Sequence, residues 1–224
     1  MKYNPIEPNV IKTLLNLGTA TIYEAQGACG AITCSIKPLS REMKLAGRVF
    51  TLHMRPGDNL MIHYALLHVK KGDVLVINCD GFEEAGIWGD VLTTQAQHIG
   101  LAGLVVNGSV RDSEEIINSK FPVFSKNISI RGTEKKQPGL INSIINIGDC
   151  IIKPGDIIVG DSDGLVVIDN ERLDEVINLS IAREEKEKEY KRKILNGATT
   201  ADLMNLDPVF TYLNLKEANH EYKK

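Results

Sequence analysis

Apolar positions recur at two periods along this chain, and the switches between them mark out its elements. NPIEPNVIKTLLNLG (residues 4–18) spaces its apolar residues three and four apart, which predicts a short amphipathic helix closed by Gly18. TATIYEAQG (19–27) predicts a second short helix, capped by Thr19 or Thr21. Residues 46–54 alternate well enough for a strand ending in the Pro56–Gly57 turn. Asp58 is placed to cap a helix over NLMIHYALLHV (59–69). GDVLVIN (72–78) is β-rich and too short for a helix, so it predicts a strand buried on both faces. VLTTQAQHIG (91–100) reads as a helix, LAGLVVNG (101–108) as a strand, SEEIINSK (113–120) as a helix and FPVFS (121–125) as a strand.

From residue 141 to 169 the texture becomes strand-turn-strand, with Gly-Asp, Pro-Gly and Asp-Gly turns. A long helix follows from Asn170 to about Asn196, stopped by Gly197, and 197–224 is left as a tail. The layout predicts one mixed α/β domain over 1–224, with its core at about 19–169, and not an all-parallel one. KKGDVLVINCDG (70–81) echoes KPGDIIVGDSDG (153–164), which reads as one turn solution used twice and not as a repeat fold.

Composition narrows the classes. A net charge of −3 over 224 residues excludes a broadly basic nucleic-acid surface. No apolar run reaches the length of a membrane span, and MKYNPIEPNVIK lacks the apolar core of a signal peptide. Cys29, Cys34, Cys79 and Cys150 are scattered without a CxxC, which predicts a reduced, cytoplasmic setting with the thiols as small core residues. The five histidines, His220 among them, show no zinc spacing. GDSDG (160–164) lacks the remaining ligands of a calcium loop and reads as a hairpin turn. There is no GxGxxG and no phosphate loop.

Chemistry concentrates in two loops. In GSVRDSEE (108–115) a strand runs into Arg111 and Asp112, where α/β folds build sites beyond the carboxyl ends of strands. Arg111 is a planar fork for a carboxylate; Asp112 is a hard oxygen ligand for magnesium or manganese. Adjacent residues in extended chain point apart, so the two could grip different parts of one ligand. The alternative is an Arg-Asp pair capping the next helix, with Glu114 and Glu115 at its positive end. In CDGFEEAGIWGDVLTTQ (79–95), Gly86 and Gly89 flank the only tryptophan, and Asp90 opens a helix. Asp90 is either an ordinary N-cap or part of a cradle of free N–H groups for a substrate carboxylate. Both loops are expected to open on the same edge.

Twenty residues separate Asp90 from Arg111-Asp112, and Glu115 follows. This Asp-x20-Arg-Asp pattern resembles the metal-dependent pyruvate aldolases of the RraA-like superfamily, whose best-known activity is on 4-hydroxy-4-methyl-2-oxoglutarate and 4-carboxy-4-hydroxy-2-oxoadipate. LAGRVFTLHMRPGDNL, KKGDVLVINCDG, GLAGLVVNGSVRDSEEI, FPVFS and KPGDIIVGDSDGLVVI are similar to that family in order and spacing, over roughly residues 19–197. The resemblance implies a swivelling β/β/α-type domain, assembled as a homotrimer or a dimer of trimers with sites at subunit interfaces. It implies Asp112 as direct metal ligand, Asp90 holding the ion through water, and Arg111 on the substrate. Backbone N–H groups at Gly89, Val91 and Leu92 would bind the carboxylate. Glu24 and Glu187 would come from the adjacent subunit.

For Glu187 the helical pattern adds something. Leu173, Val176, Ile177, Ile181, Ile194 and Leu195 form a stripe that includes Glu184 and Glu187, and carboxylates in an apolar stripe need partners. Lys188 and Lys191 are the i+4 candidates. The implied chemistry is cleavage of a 4-hydroxy-2-oxo acid to pyruvate, with oxaloacetate decarboxylation on the side. A water oriented by Asp90, Glu24 or Glu187 is the candidate base. Every lysine falls in a turn, a charged stretch or a surface-like position, which argues against a Schiff base. Some superfamily members instead regulate ribonuclease E, typically without the first aspartate; Asp90 favours the enzyme.

Overall fold

The computed structural model describes residues 6–215. In chain order the elements are α1 (Pro8–Leu17), α2 (Thr19–Ala25), β1 (Lys37–Pro38), β2 (Leu45–His53), α3 (Leu60–Ala65), β3 (Asp73–Asn78), α4 (Asp90–Ile99), β4 (Gly103–Val110), α5 (Ser113–Asn118) and β5 (Val123–Ile128). Then come β6 (Leu140–Ile141), β7 (Ile145–Ile147), β8 (Cys150–Ile152), β9 (Ile157–Gly160), β10 (Leu165–Ile168), a 3-10 turn (Asn170–Arg172), α6 (Leu173–Leu195), α7 (Thr200–Met204) and α8 (Asp207–Tyr212). The fold class is the one anticipated: mixed α/β.

The main sheet runs β1-β5-β4-β3-β2-β9-β10, with β6 also on β2 and β7-β8 as a separate hairpin. β2, β3, β4 and β5 are mutually parallel, whereas β9 pairs antiparallel with β2 and β10. All six residues of β3 are buried, as a strand covered on both faces requires. The parallel run matters for function, because each of these strands ends at one edge and releases its loop there. One apolar cluster fills the β3–β4 side; a second (Leu14, Leu17, Ile22, Ile157, Val159, Val166, Ile168, Val176) packs α1, α2 and the start of α6 against β9 and β10.

The echoed segments form the same turn. Asp73 Oδ2 accepts the Lys70 N–H at 2.8 Å, and Asp156 Oδ2 accepts the Lys153 N–H at 2.9 Å. Gly72 and Gly155 hold positive φ of 86° and 92° between them, as each turn demands. The cap of α2 differs from expectation. Its N-cap is Gly18, which has no side chain, so Asp161 serves from the β9–β10 turn, accepting Thr19 N–H and Oγ1–H at 2.8 Å each. Asp161 Oδ1 also accepts the Asp163 N–H at 2.9 Å, so the GDSDG carboxylate is engaged in the hairpin. Asp58 does serve the start of α3, accepting the Leu60 N–H at 2.8 Å, although α3 ends at Ala65, earlier than its pattern predicts.

The four cysteines are free, but only Cys79 and Cys150 are core residues; Cys29 and Cys34 are exposed in the irregular segment between α2 and β1. Burial pushes the Cys79 thiol up to about 12 and Cys150 to about 11, so neither supplies a thiolate nucleophile at neutral pH. The chain divides at Ile181 into two compact units. The second contains what the sequence left as a tail. There Thr199 and Asp202 form a reciprocal capping box that starts α7, and Pro208 lies in the first turn of α8. His220 lies outside the described residues. No helix among the described residues is long and apolar enough to cross a membrane.

Candidate active site

The loops after β3 and β4 do open on the same edge. The Ile87 N–H donates to Ser109 O at 3.1 Å and the Arg111 N–H to Trp88 O at 2.8 Å, zipping the tryptophan loop onto the end of β4. Close approach explains both glycines there. A Cβ at Gly86 would press on Ser129 O and on Arg111 Cβ. One at Gly89 would collide with Asp112 Oδ2 and lie 3.1 Å from Arg111 Nε.

Asp112 does not cap the helix it precedes. It occupies the N-cap position of α5 yet makes no side-chain cap, because its backbone is left-handed at φ 54°, ψ 43°. That turn swings its carboxylate back toward α4. Oδ2 accepts the Asp90 N–H at 3.2 Å and lies 3.4 Å from Arg111 Nε. Arg111 and Asp112 therefore converge, which corrects the expectation that neighbours would point apart: the extended geometry ends at Val110. Asp90 is the first residue of α4 and Gly89 its N-cap; Asp90 Oδ1 accepts the Val91 N–H at 2.7 Å.

Asp90, Val91, Leu92, Gly89 and Arg111 line a cavity of about 310 Å³ together with Asn59, His63, Trp88, Thr133 and Lys135. A larger cavity of about 470 Å³, by Ile11, Ala46, Arg48 and Lys71, includes none of the predicted residues. Sequence reasoning missed Asn59, His63 and Lys135. Asn59 and His63 are one helical turn apart, a spacing shared with any helix face, and Lys135 arrives on a loop whose path only tertiary contacts set. Asp58 Oδ2 accepts the N–H groups of Lys136 and Gln137 at 2.6 and 3.1 Å, and the Asn59 N–H donates to Glu134 O at 2.9 Å. Burial pushes the Asp58 carboxyl up, but the N–H groups of Leu60, Lys136 and Gln137 hold it below the ordinary carboxylate range. Desolvation, then the charge of Lys135, pushes the His63 imidazole below the usual histidine value.

The remaining predicted residues lie elsewhere. Glu24 is exposed on α2. Glu187 lies on α6 in the second unit, paired with Arg183 at 3.1 Å and not with Lys191; Glu184 pairs with Lys188 at 3.7 Å. The helical stripe is buried only at its start, at Val176, and Ile181, Ile194 and Leu195 are exposed. Glu115 is exposed in the first turn of α5. Lys126 departs from the surface pattern, sitting half-buried within β5 and bridged to Glu83 at 2.9 Å, whereas Lys135 is exposed on its loop, as expected, where it lines the cavity.

No three His, Cys, Asp or Glu side chains among the described residues are gathered as a metal cage. Asp112 brings its carboxylate to the backbone of Asp90, whose own carboxylate lines the cavity, and carboxylate oxygens are the donor type magnesium takes alongside waters and substrate oxygens.

The family model described as "RraA-like: Aldolase/RraA" matches residues 19–167. A Halalkalibacterium halodurans protein named "Putative 4-hydroxy-4-methyl-2-oxoglutarate aldolase" is 32% identical over 188 residues, covering 84% of this chain and 90% of that one. Protein DlpA of Legionella pneumophila is 36% identical over 200 residues, 86% of this chain, which spans only 32% of DlpA's length. The solved structure of the RNA-processing inhibitor RraA from Thermus thermophilis superposes with a TM-score of 0.63 at 25% identity, covering 67% of this chain and 92% of that one. With its parallel β2–β5 run, its antiparallel β9–β10 flank and the Asp90/Arg111-Asp112 loops on one edge, this chain belongs to the RraA-like family.

Proposed function

We propose that this chain is a divalent-metal-dependent pyruvate aldolase that cleaves a 4-hydroxy-2-oxo acid, such as 4-hydroxy-4-methyl-2-oxoglutarate, to pyruvate and a second keto acid. The observation that carries this reading is Asp112. Its carboxylate, turned away from α5 by a left-handed backbone, meets the Asp90 amide at the start of α4 and Arg111, beside a cavity of small-molecule size.

Asp112, with Asp90 through water, would hold magnesium or manganese, and when bound the ion supplies Lewis acidity at the 2-oxo group. Arg111 clamps the carboxylate end and offsets the negative charge that develops as the carbon–carbon bond breaks. At the start of α4 the N–H groups of Gly89 and Leu92 would orient the same carboxylate, joined by that of Val91 once it leaves Asp90 Oδ1, which it meets at 2.7 Å. A water oriented by Asp90 takes the 4-hydroxyl proton. The C4–O bond becomes the carbonyl of the second keto acid, the C3–C4 pair becomes the pyruvate enolate, and C3 is then protonated. Oxaloacetate yields the same enolate by losing carbon dioxide. Lys135 and the neutral His63 offer a cation and a hydrogen-bonding ring for a second acidic group of the substrate. In a homotrimer or dimer of trimers, Glu24 and Glu187 would be the adjacent subunit's contribution.

The test is pyruvate release from 4-hydroxy-4-methyl-2-oxoglutarate and from oxaloacetate with magnesium. Release that stops with excess EDTA is expected; release that survives EDTA sinks the metal mechanism. Because Lys135 lines the cavity, borohydride with substrate is the matching control, and no covalent trapping is expected. A second reading, a protein-binding regulator of the ribonuclease E type, draws on the likeness to RraA and predicts no pyruvate release at all.

A further inference from the structure

Trp88 is fully buried and touches both halves of the site at once. Its carbonyl accepts the Arg111 N–H at 2.8 Å, and its indole Nε1–H donates to Thr93 Oγ1 at 2.8 Å. Thr93, 2% exposed, passes the constraint on: its hydroxyl donates to Gly89 O at 3.0 Å, and its own N–H reaches the same oxygen at 3.0 Å. Two donors from one residue thus hold the Gly89 carbonyl. A peptide group is planar, so fixing that oxygen fixes the direction of the Asp90 N–H across the same bond. This is the N–H that meets Asp112 Oδ2. Helix formation accounts for the Thr93 N–H bond, and a threonine hydroxyl commonly bonds the carbonyl four residues back, but here that hydroxyl is itself buried and fixed by the indole N–H it accepts.

We propose that Thr93 is a positioning residue, and Trp88 its anchor: the indole–hydroxyl–carbonyl relay holds the Gly89–Asp90 peptide with its N–H on Asp112 Oδ2, and so keeps the start of α4 in register with Arg111 and Asp112. The inference rests on the carboxylate cradle of the proposed function. It assigns a role to two residues that are not expected to touch the substrate's reacting atoms.

The experiment follows oxalate, a planar mimic of the pyruvate enolate, binding with magnesium, read by fluorescence of Trp88, the chain's only tryptophan. Thr93→Val removes the hydroxyl at nearly constant volume, and about a tenfold loss of oxalate affinity is expected, the effect of one lost hydrogen bond of about 1.4 kcal/mol. Thr93→Ser restores the hydroxyl and should bind within about twofold of the parent chain. Thr93→Val emission should shift as the indole N–H loses its acceptor, and KM should rise about tenfold while kcat changes less than about threefold. A folded Thr93→Val variant that binds oxalate like the parent overturns the proposal. Should that variant fail to fold, Trp88→Phe followed by calorimetry replaces it, with about a threefold loss expected and no loss overturning the relay. If the parent chain itself binds no oxalate, the cradle and the relay fall together. If it binds oxalate but releases no pyruvate, the relay stands and only the aldolase reading falls.

Discussion

At the scale of single residues, the proposed site depends on a carboxylate turned away from the helix it precedes. Asp112 stands at the N-cap of α5 and does not cap it, accepting the first N–H of α4 instead, so a replacement that keeps an acceptor oxygen there should spare the fold and remove function. Asp112→Asn is expected to lower pyruvate release by at least about 100-fold while leaving the thermal midpoint nearly unchanged. A large drop in the midpoint would instead make Asp112 a structural residue. Gly89→Ala places a methyl group against Asp112 Oδ2 and Arg111, and should raise KM and lower kcat together without unfolding the chain. His63 has an imidazole held below the usual histidine value by desolvation and by Lys135, so it is neutral at pH 7. Protonation therefore favours the unfolded chain: stability is fully present above the unfolded value near 6.5 and declines below it as pH falls. An NMR titration of His63 should give a midpoint below 6.5, and Lys135→Met should move it upward. An unmoved midpoint in Lys135→Met would break the link between the two.

At the scale of elements, loops are fixed by carboxylates that act far along the chain. Asp161 caps α2 across 142 residues and closes its own hairpin. Burial pushes its carboxyl up, yet the bonds from Thr19, Asp163 and Gly164 prevail and hold it below the ordinary value. The sign follows: the stabilisation is present above the unfolded carboxyl value near 3.9 and is lost as pH falls through the lower folded value. Asp161→Ala should cost about 1–2 kcal/mol at pH 7 in urea denaturation, and the difference from the parent should shrink at low pH. A difference that persists unchanged at pH 2 would locate the loss in packing instead. Asp58 has the same standing toward the Lys135 loop, which it ties to the start of α3 through Lys136 and Gln137. The twin turns at Lys70–Asp73 and Lys153–Asp156 show one local sequence solution starting a parallel-paired strand in one case and an antiparallel-paired strand in the other.

At the scale of the whole molecule, the proposed chemistry asks more of the site than Asp90, Arg111 and Asp112 supply. A subunit interface that adds Glu187 makes complementation the informative measurement. Asp112→Ala and Glu187→Gln chains, each inactive alone, should regain pyruvate release when unfolded together and refolded, because mixed assemblies contain some interfaces with both native carboxylates. Sedimentation should give the mass of three or six chains. A monomer, or a mixture as inactive as its components, would remove Glu187 from the mechanism.

Short-range physics made much of this chain legible from its sequence. Alternation and burial period located β2, β3, β4 and the β9–β10 hairpin. Glycines at positive φ, such as Gly100 and Gly197, marked helix ends, and the Asp-x20-Arg-Asp spacing picked out two loops that the fold brings together. Those signals are local, or are carried by a pattern repeated across a family. Tertiary structure alone decided that Asp161 caps α2, that Asp112 turns back toward Asp90, and that His63 and Lys135 line the same cavity as Arg111. Each of these is a contact between segments distant in sequence. Hydrophobic patterning determines which face of an element is buried, but not which remote side chain is brought opposite it, and the left-handed turn at Asp112 is held in place by its surroundings.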